Sequence, residues 1–283
     1  MDEIETMGKT SSEKYSLIYF IVLSYSLHYI LIRVMILGLP TFSLIAYLLA
    51  AWSPNISAVI VLGFIIKDRS GIRQLLEGWT KWRVNFIWYL VTLLPLAVGF
   101  VSIVIYYLAG GTAPDFSSSA STYLIALLMS IITGATGEEL GWRGFALPRL
   151  QSKYGALSSS IIVGLIWAGW HIPYWPIPGW FPKMQSIPFL AFTLQSVAKS
   201  VIMTWIYNRT KGSVLLATLF HLVLNYSLFL GVLPSSPSPI EPIIISTITW
   251  LVFAGMVVIV FGLTGLSRKS NSEMALRIVV TKK

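Results

Sequence analysis

Three short stretches of this chain carry side chains able to move protons in an apolar setting. They are the acid pair of TGATGEELGWRG, the histidine of WAGWHIPYW, and the histidine and asparagine of FHLVLNYS. A charge at membrane depth is costly enough that an ionisable residue there implies a function by default. Glu138 and Glu139 are adjacent, so on a helix they point about 100° apart and take different roles. Glu139 and Arg143 are four residues apart, on one face, where a salt bridge can form. That leaves Glu138 to face an interior. Trp167 and His171 share a face by the same spacing, as do His221 and Asn225. A carboxylate and two imidazoles can pass protons to and from a water, or can hold a divalent metal such as Zn2+ with one position open.

Each element also has a plainer reading. A buried ion pair can be a structural tie, and a lone histidine in a spanning helix more often joins two helices. His28 has no polar companion at helical spacing and reads as structural. Lys199 is expected to snorkel to the interface.

The elements that must position these residues are spanning helices. The chain has 283 residues, of which 55% are hydrophobic and 11% charged. Soluble domains carry about 25% charged residues, so this surface is not mostly wet. There are no cysteines, which excludes disulfides, thiolate nucleophiles and cysteine-bound zinc. A span needs roughly 20 mostly apolar residues. By that test spans fall near 16–38, 41–66, 85–108, 122–141, 157–172, 187–207, 213–231 and 242–266, giving an all-α polytopic membrane bundle of about eight helices. Gly134, Ala135 and Gly137 allow close helix approach beside the acid pair. The segment GIRQLLEGWTKWR at 71–83 is too charged to cross and suits a helix lying in the interface. After the fifth span, a proline-rich connector holds Trp175 and Trp180, expected as interface anchors.

The formal charge of +9 does not point to nucleic acid. Basic residues sit in alternate short connectors, including Lys67, Arg69, Arg73, Lys81 and Arg83 after span two and Arg209 and Lys211 after span six. This alternation predicts an even number of spans with both termini in the cytoplasm. The organisation expected is a polar tail at 1–15, a membrane domain at 16–266 with its core at about 120–230, and a basic tail at 267–283. MDEIETMGKTSSEK reads as a tail, not a removable signal peptide. Counting about 1.5 Å per residue from the span ends places Glu138, His171 and His221 very roughly 13–21 Å deep. Three helices therefore bring polar groups to one layer, which favours a site over scattered structural polars.

The ordered set Glu138-Glu139-xxx-Arg143, Trp167-xxx-His171 and His221-xxx-Asn225 resembles the CPBP family, which includes the type II CAAX prenyl endopeptidases and the Abi-type proteases. The family pattern is EExxxR, FxxxH and HxxxN or HxxxD on successive membrane helices. Trp167 replaces the family's phenylalanine, which keeps an aromatic and alters the pocket's shape. The resemblance implies an intramembrane endopeptidase opening towards the cytoplasm, acting on a membrane-associated and in some members prenylated peptide.

Peptide hydrolysis under that resemblance has two open routes. There is no Gly-x-Ser-x-Gly, cysteine or HExxH, which disfavours an acyl-enzyme and an ordinary zincin. In one route Glu138, His171 and His221 bind a metal that activates water, with Asn225 orienting substrate. In the other, Glu138 and His171 deprotonate water while His221 and Asn225 donate to the oxyanion. Glu139, Arg143 and Trp167 support the site in both. A transporter or channel is the rival from another class, and a silent immunity or scaffold protein on the same fold is the third reading.

Overall fold

The computed structural model describes residues 13–38, 40–112, 119–177, 182–229 and 240–266. Among them the regular structure is helical throughout. Helix α1 is Ser16–Leu37, and α2 (Pro40–Ala51) and α3 (Ser53–Ile60) form a bent pair. The short α4 (Arg69–Glu77) precedes α5 (Ile87–Val91) and α6 (Leu94–Leu108). Then come α7 (Ala120–Met129), α8 (Thr136–Glu139), α9 (Leu147–Gln151), α10 (Ala156–Trp170), α11 (Pro182–Gln185), α12 (Phe189–Arg209), α13 (Val214–Phe229) and α14 (Ile240–Gly265).

Among the described residues, six helical stretches are long and apolar enough to cross a membrane: Ser16–Leu37, Ile87–Leu108, Ala120–Gln151, Ala156–Tyr174, Phe189–Arg209 and Glu241–Gly262. Phe42–Ala51 with Ser53–Ile65, bent by 61°, can make a seventh. The expected count of eight is therefore not reached by length. The segment expected to cross at 213–231 supplies an apolar helix of only Val214–Ser227. Packed among its neighbours, with Leu216, Ala217 and Phe220 fully buried, this helix need not match the lipid thickness.

Polarity is arranged for lipid. Ile259 is 82% exposed and Phe100 67%, whereas Glu139 and Arg143 are fully buried. Apolar side chains face outward and ionisable ones face the bundle, as an integral multi-pass membrane protein requires.

The fourth expected span, 122–141, runs on to Gln151. Two π-helical turns, Ser130–Ala135 and Leu140–Ala146, flank the acid pair. Arg143 does not end the helix, because its charge is met by Glu139 one turn earlier. Small residues let this helix approach the bent pair. A Cβ at Gly141 would stand 2.6 Å from Pro54, and one at Gly137 would stand 2.8 Å from the Ala51 carbonyl oxygen.

The helix expected in the interface over 71–83 spans Arg69–Glu77. It starts on Asp68, whose side chain accepts the Gly71 N–H at 2.9 Å, and stops at Gly78. The Ser70 hydroxyl and the Gly71 N–H hold the Asp68 carboxyl below its usual range. The Gly78 carbonyl accepts the Val214 N–H at 2.8 Å and so serves the start of α13. Trp175 donates to the Ile187 carbonyl at 2.9 Å and packs on Phe189 and Phe192. Trp180 and both expected tails beyond residues 13 and 266 lie outside the described residues.

Candidate active site

Glu138 sits on the single α-helical turn between the two π segments, 4% exposed. Its Oε2 accepts the Trp167 Nε1–H at 2.6 Å and the Trp142 Nε1–H at 3.2 Å. Two charge-assisted hydrogen bonds fix one oxygen of a buried carboxylate and leave the other to the cavity it lines. Trp167 thus does more than preserve an aromatic. Its ring is also 5.5 Å from the His171 ring, 5.2 Å from the His221 ring and 5.5 Å from the Arg143 guanidinium. One indole touches residues of all three motifs.

His171 closes the end of α10. Its Nδ1 lies 2.8 Å from the Trp167 carbonyl oxygen. A carbonyl only accepts, so Nδ1 carries the proton and Nε2 keeps a free lone pair. The backbone of Trp167, more than its ring, sets this rotamer. Tyr25 and Tyr29 of α1 donate to the Ile166 and Gly169 carbonyls at 2.5 and 2.9 Å and tie the same turn to the first helix.

His221 is paired with the second acid. Its Nδ1 is 2.7 Å from Glu139 Oε1, and Arg143 Nη1 lies 3.0 Å from the same carboxylate. The expected Glu139–Arg143 tie is present, and it extends to His221. A Cβ added at Gly134 would overlap Asn225 Nδ2 and would stand 3.9 Å from His221 Nε2. The missing side chain at Gly134 therefore makes room for both polar tips.

Glu138, His171 and Asn225 line one cavity of about 430 Å³, together with Tyr47, Gly134 and Tyr174. Glu139, Arg143 and Trp167 stand behind its wall, and His221 approaches it past Gly134. The wall is mostly apolar and runs from Thr122, Ala126 and Met129 of α7 through Thr133 of the π segment to Glu138 of α8. The sixteen steps from Thr122 to Glu138 give that wall a length of about 24 Å.

Glu138, His171 and His221 are the residues that would hold a metal, through one oxygen and two imidazole nitrogens. Among the described residues, no three His, Cys, Asp or Glu side chains are grouped to hold an ion. Glu138 Oε2 is held by two indoles, His171 Nδ1 by the Trp167 carbonyl and His221 Nδ1 by Glu139, contacts that orient the other oxygen and the two Nε2 atoms for water or a metal alike.

Sequence reasoning passed over Asn55, Trp142 and Trp170. Asn55 donates to the Thr136 carbonyl at 2.6 Å and accepts the Gly141 N–H at 2.9 Å. It thereby grips the backbone on both sides of the acid pair, where the change to π geometry frees these groups. Its signal was an amide in an otherwise apolar span, two residues after Ser53. His28, expected to be structural, stacks its ring 3.7 Å from Trp170, a cavity residue. Lys199 does not snorkel: it is 5% exposed and points into the bundle.

The family model described as Type II CAAX prenyl endopeptidase Rce1-like matches residues 120–227. This region is Rce1-like. It holds all three motifs, from Glu138 to Asn225. CAAX prenyl protease 2 of Methanococcus maripaludis is 35% identical over 143 residues, which make up 48% of this chain and 53% of that protein. The chain thus spans about half the length of the curated relative it matches. The Rce1-like region contributes Glu138, His171, His221 and Asn225, while Tyr47 and Asn55 come from helices before it.

Proposed function

We propose that the chain is an intramembrane endopeptidase of the CAAX type, hydrolysing a peptide bond with a water activated by Glu138 and His171. The observation that carries this is the meeting of Glu138, His171 and Asn225 on one apolar-walled cavity within the Rce1-like region. The free oxygen of Glu138 and the lone pair of His171 Nε2 are the two acceptors that can draw a proton from water. Asn225 Nδ2, with His221 beside it, supplies donors to the oxyanion. Glu139 holds the His221 ring in place through Nδ1. The proton taken from water passes to the leaving amine.

The same wall supports the substrate class. A cavity with a long apolar face suits a peptide bearing an elongated hydrocarbon, and the relative is named for CAAX prenyl proteins. The substrate is accordingly a prenylated, membrane-held peptide, and the lipid bilayer is its route of approach. The alternation of basic connectors supports a placement of both termini in the cytoplasm.

The test compares cleavage of a prenylated CAAX peptide and its unprenylated twin by the detergent-purified protein, with and without a chelator. Cleavage of the prenylated peptide, indifferent to chelation, is the expected result. Loss on chelation with recovery on adding zinc would replace the water-only route by the metal route. Cleavage of neither peptide would overturn the assignment.

A further inference from the structure

Helix α1 lies before the Rce1-like region, yet one stretch of it meets two walls of the candidate active site. Tyr25, His28 and Tyr29 share a face of α1 by their spacing. The two tyrosines donate to the Ile166 and Gly169 carbonyls, just before His171. His28 serves α2 instead: its Nδ1 lies 3.1 Å from the Ala50 carbonyl oxygen. A carbonyl only accepts, so Nδ1 carries the proton and Nε2 the lone pair. Nε2 is buried and has no hydrogen-bond partner among the described residues, which makes the bond to Ala50 the ring's polar tie.

The Ala50 carbonyl needs that donor. In an unbroken helix it would accept the N–H of residue 54. Residue 54 is a proline, which has no N–H and whose ring pushes against the same carbonyl. The chain bends here by 61°, between Phe42–Ala51 and Ser53–Ile65. Ala50 is fully buried, where an unmet carbonyl destabilises the fold. The bend in turn places the site. On its first arm Tyr47 and Ala51 line the Glu138 cavity. On its second, Asn55 grips the backbone either side of the acid pair, and Ser53 Oγ accepts the Trp170 Nε1–H at 3.1 Å. Between the arms, Trp52 donates to the Ile132 carbonyl at 2.7 Å. The His28 ring meanwhile stacks 3.7 Å from Trp170, whose own ring is 4.8 Å from His171.

We propose that His28 is a positioning residue for the active site: its Nδ1–H replaces the donor that Pro54 lacks, and so fixes the bend that carries Tyr47, Ala51 and Asn55 to Glu138. Its effect on turnover rests on the protease reading; its hold on the bend does not. Two amides separate the atoms of the ring. Asparagine puts its Nδ2 at the place of Nδ1, whereas the glutamine amide falls near the place of Nε2. Phenylalanine keeps a ring against Trp170 and offers no donor.

The test reads the bend and the rate separately, on the full chain in detergent. With no native cysteine, spin labels can be attached at Leu44→Cys and Phe64→Cys, exposed positions on the two arms. Their separation is measured by double electron–electron resonance, and kcat is measured on a prenylated CAAX peptide. His28→Asn is expected to keep the wild-type distance distribution and a kcat within about threefold. His28→Gln and His28→Phe should broaden the distribution and lower kcat about tenfold. Wild-type distances in His28→Gln, or equal losses in the asparagine and glutamine variants, would overturn the proposal. Pro54→Ala supplies the missing N–H, so in that background His28→Gln should change neither readout further; a fully additive loss would also overturn it. Should His28→Gln fail to fold alone, it is expected to fold in the Pro54→Ala background, and failure there too would count against the proposal. If wild type cleaves no peptide, the distances decide for His28 and only the protease reading is lost.

Discussion

Trp167 Nε1 donates to Glu138 Oε2 at 2.6 Å, from one helix to the carboxylate of another. The phenylalanine of the resembling family pattern has no donor to offer. In this chain the indole fixes which carboxylate oxygen faces the cavity. Trp167→Phe removes a hydrogen bond to a charged group, an interaction worth about 1.5–3 kcal/mol. Turnover should fall about 10- to 100-fold, with KM little changed because Trp167 stands behind the wall. Steady-state kinetics on a prenylated peptide check this, and an unchanged kcat would strip the bond of its positioning role.

Glu139 bonds to both Arg143 and His221 inside the bundle, and all three are at most 2% exposed. Glu139→Gln leaves a buried guanidinium without its counter-charge. Removing one partner of a buried pair costs about 3–5 kcal/mol, so the melting temperature in detergent should drop clearly. Activity should fall with it, since His221 loses its orientation. A melting curve that overlays wild type would show that the pair is not a structural tie.

Asn55→Ala should leave the Gly141 N–H and the Thr136 carbonyl without partners, at about 1–3 kcal/mol. The acid pair lies between those two groups. Stability and kcat should therefore fall together, and Asn55→Asp, which keeps an acceptor but no donor, should recover only part of either. A fall in stability with kcat intact would confine Asn55 to packing.

Gly134→Ala is expected to separate rate from stability. The added methyl overlaps Asn225 Nδ2 and forces that amide out of place, while alanine is the better helix former. The rate should fall by about 100-fold, the scale of losing one oxyanion donor, with a melting temperature near wild type. Wild-type turnover in this variant would take Asn225 out of the chemistry.

The fold class was legible because hydropathy and the run of basic connectors report directly on lipid exposure. The count of crossings was not, since Val214–Ser227 is apolar yet short, and packing rather than length decides how it lies. The spacing of Glu139 and Arg143 announced their ion pair. Nothing local could announce that His221 would join it, because that contact closes across 82 residues. Trp167 read as a bulkier phenylalanine because its N–H matters only once Glu138 is seen beside it. Asn55 was readable in principle, as an amide in an apolar run, and was eclipsed by the histidines and acids. Lys199 was assigned to the interface by the habit of long cations, whereas Gln195 and Trp250 give it a place inside.

The most direct measurement is kcat for wild type and Glu138→Gln on the same prenylated CAAX peptide, with matching melting curves to show that both are folded. If Glu138 activates the water, the glutamine variant keeps the fold and loses about 10²–10⁴-fold in rate. Turnover by Glu138→Gln at the wild-type rate would contradict the account and move the chemistry away from this carboxylate.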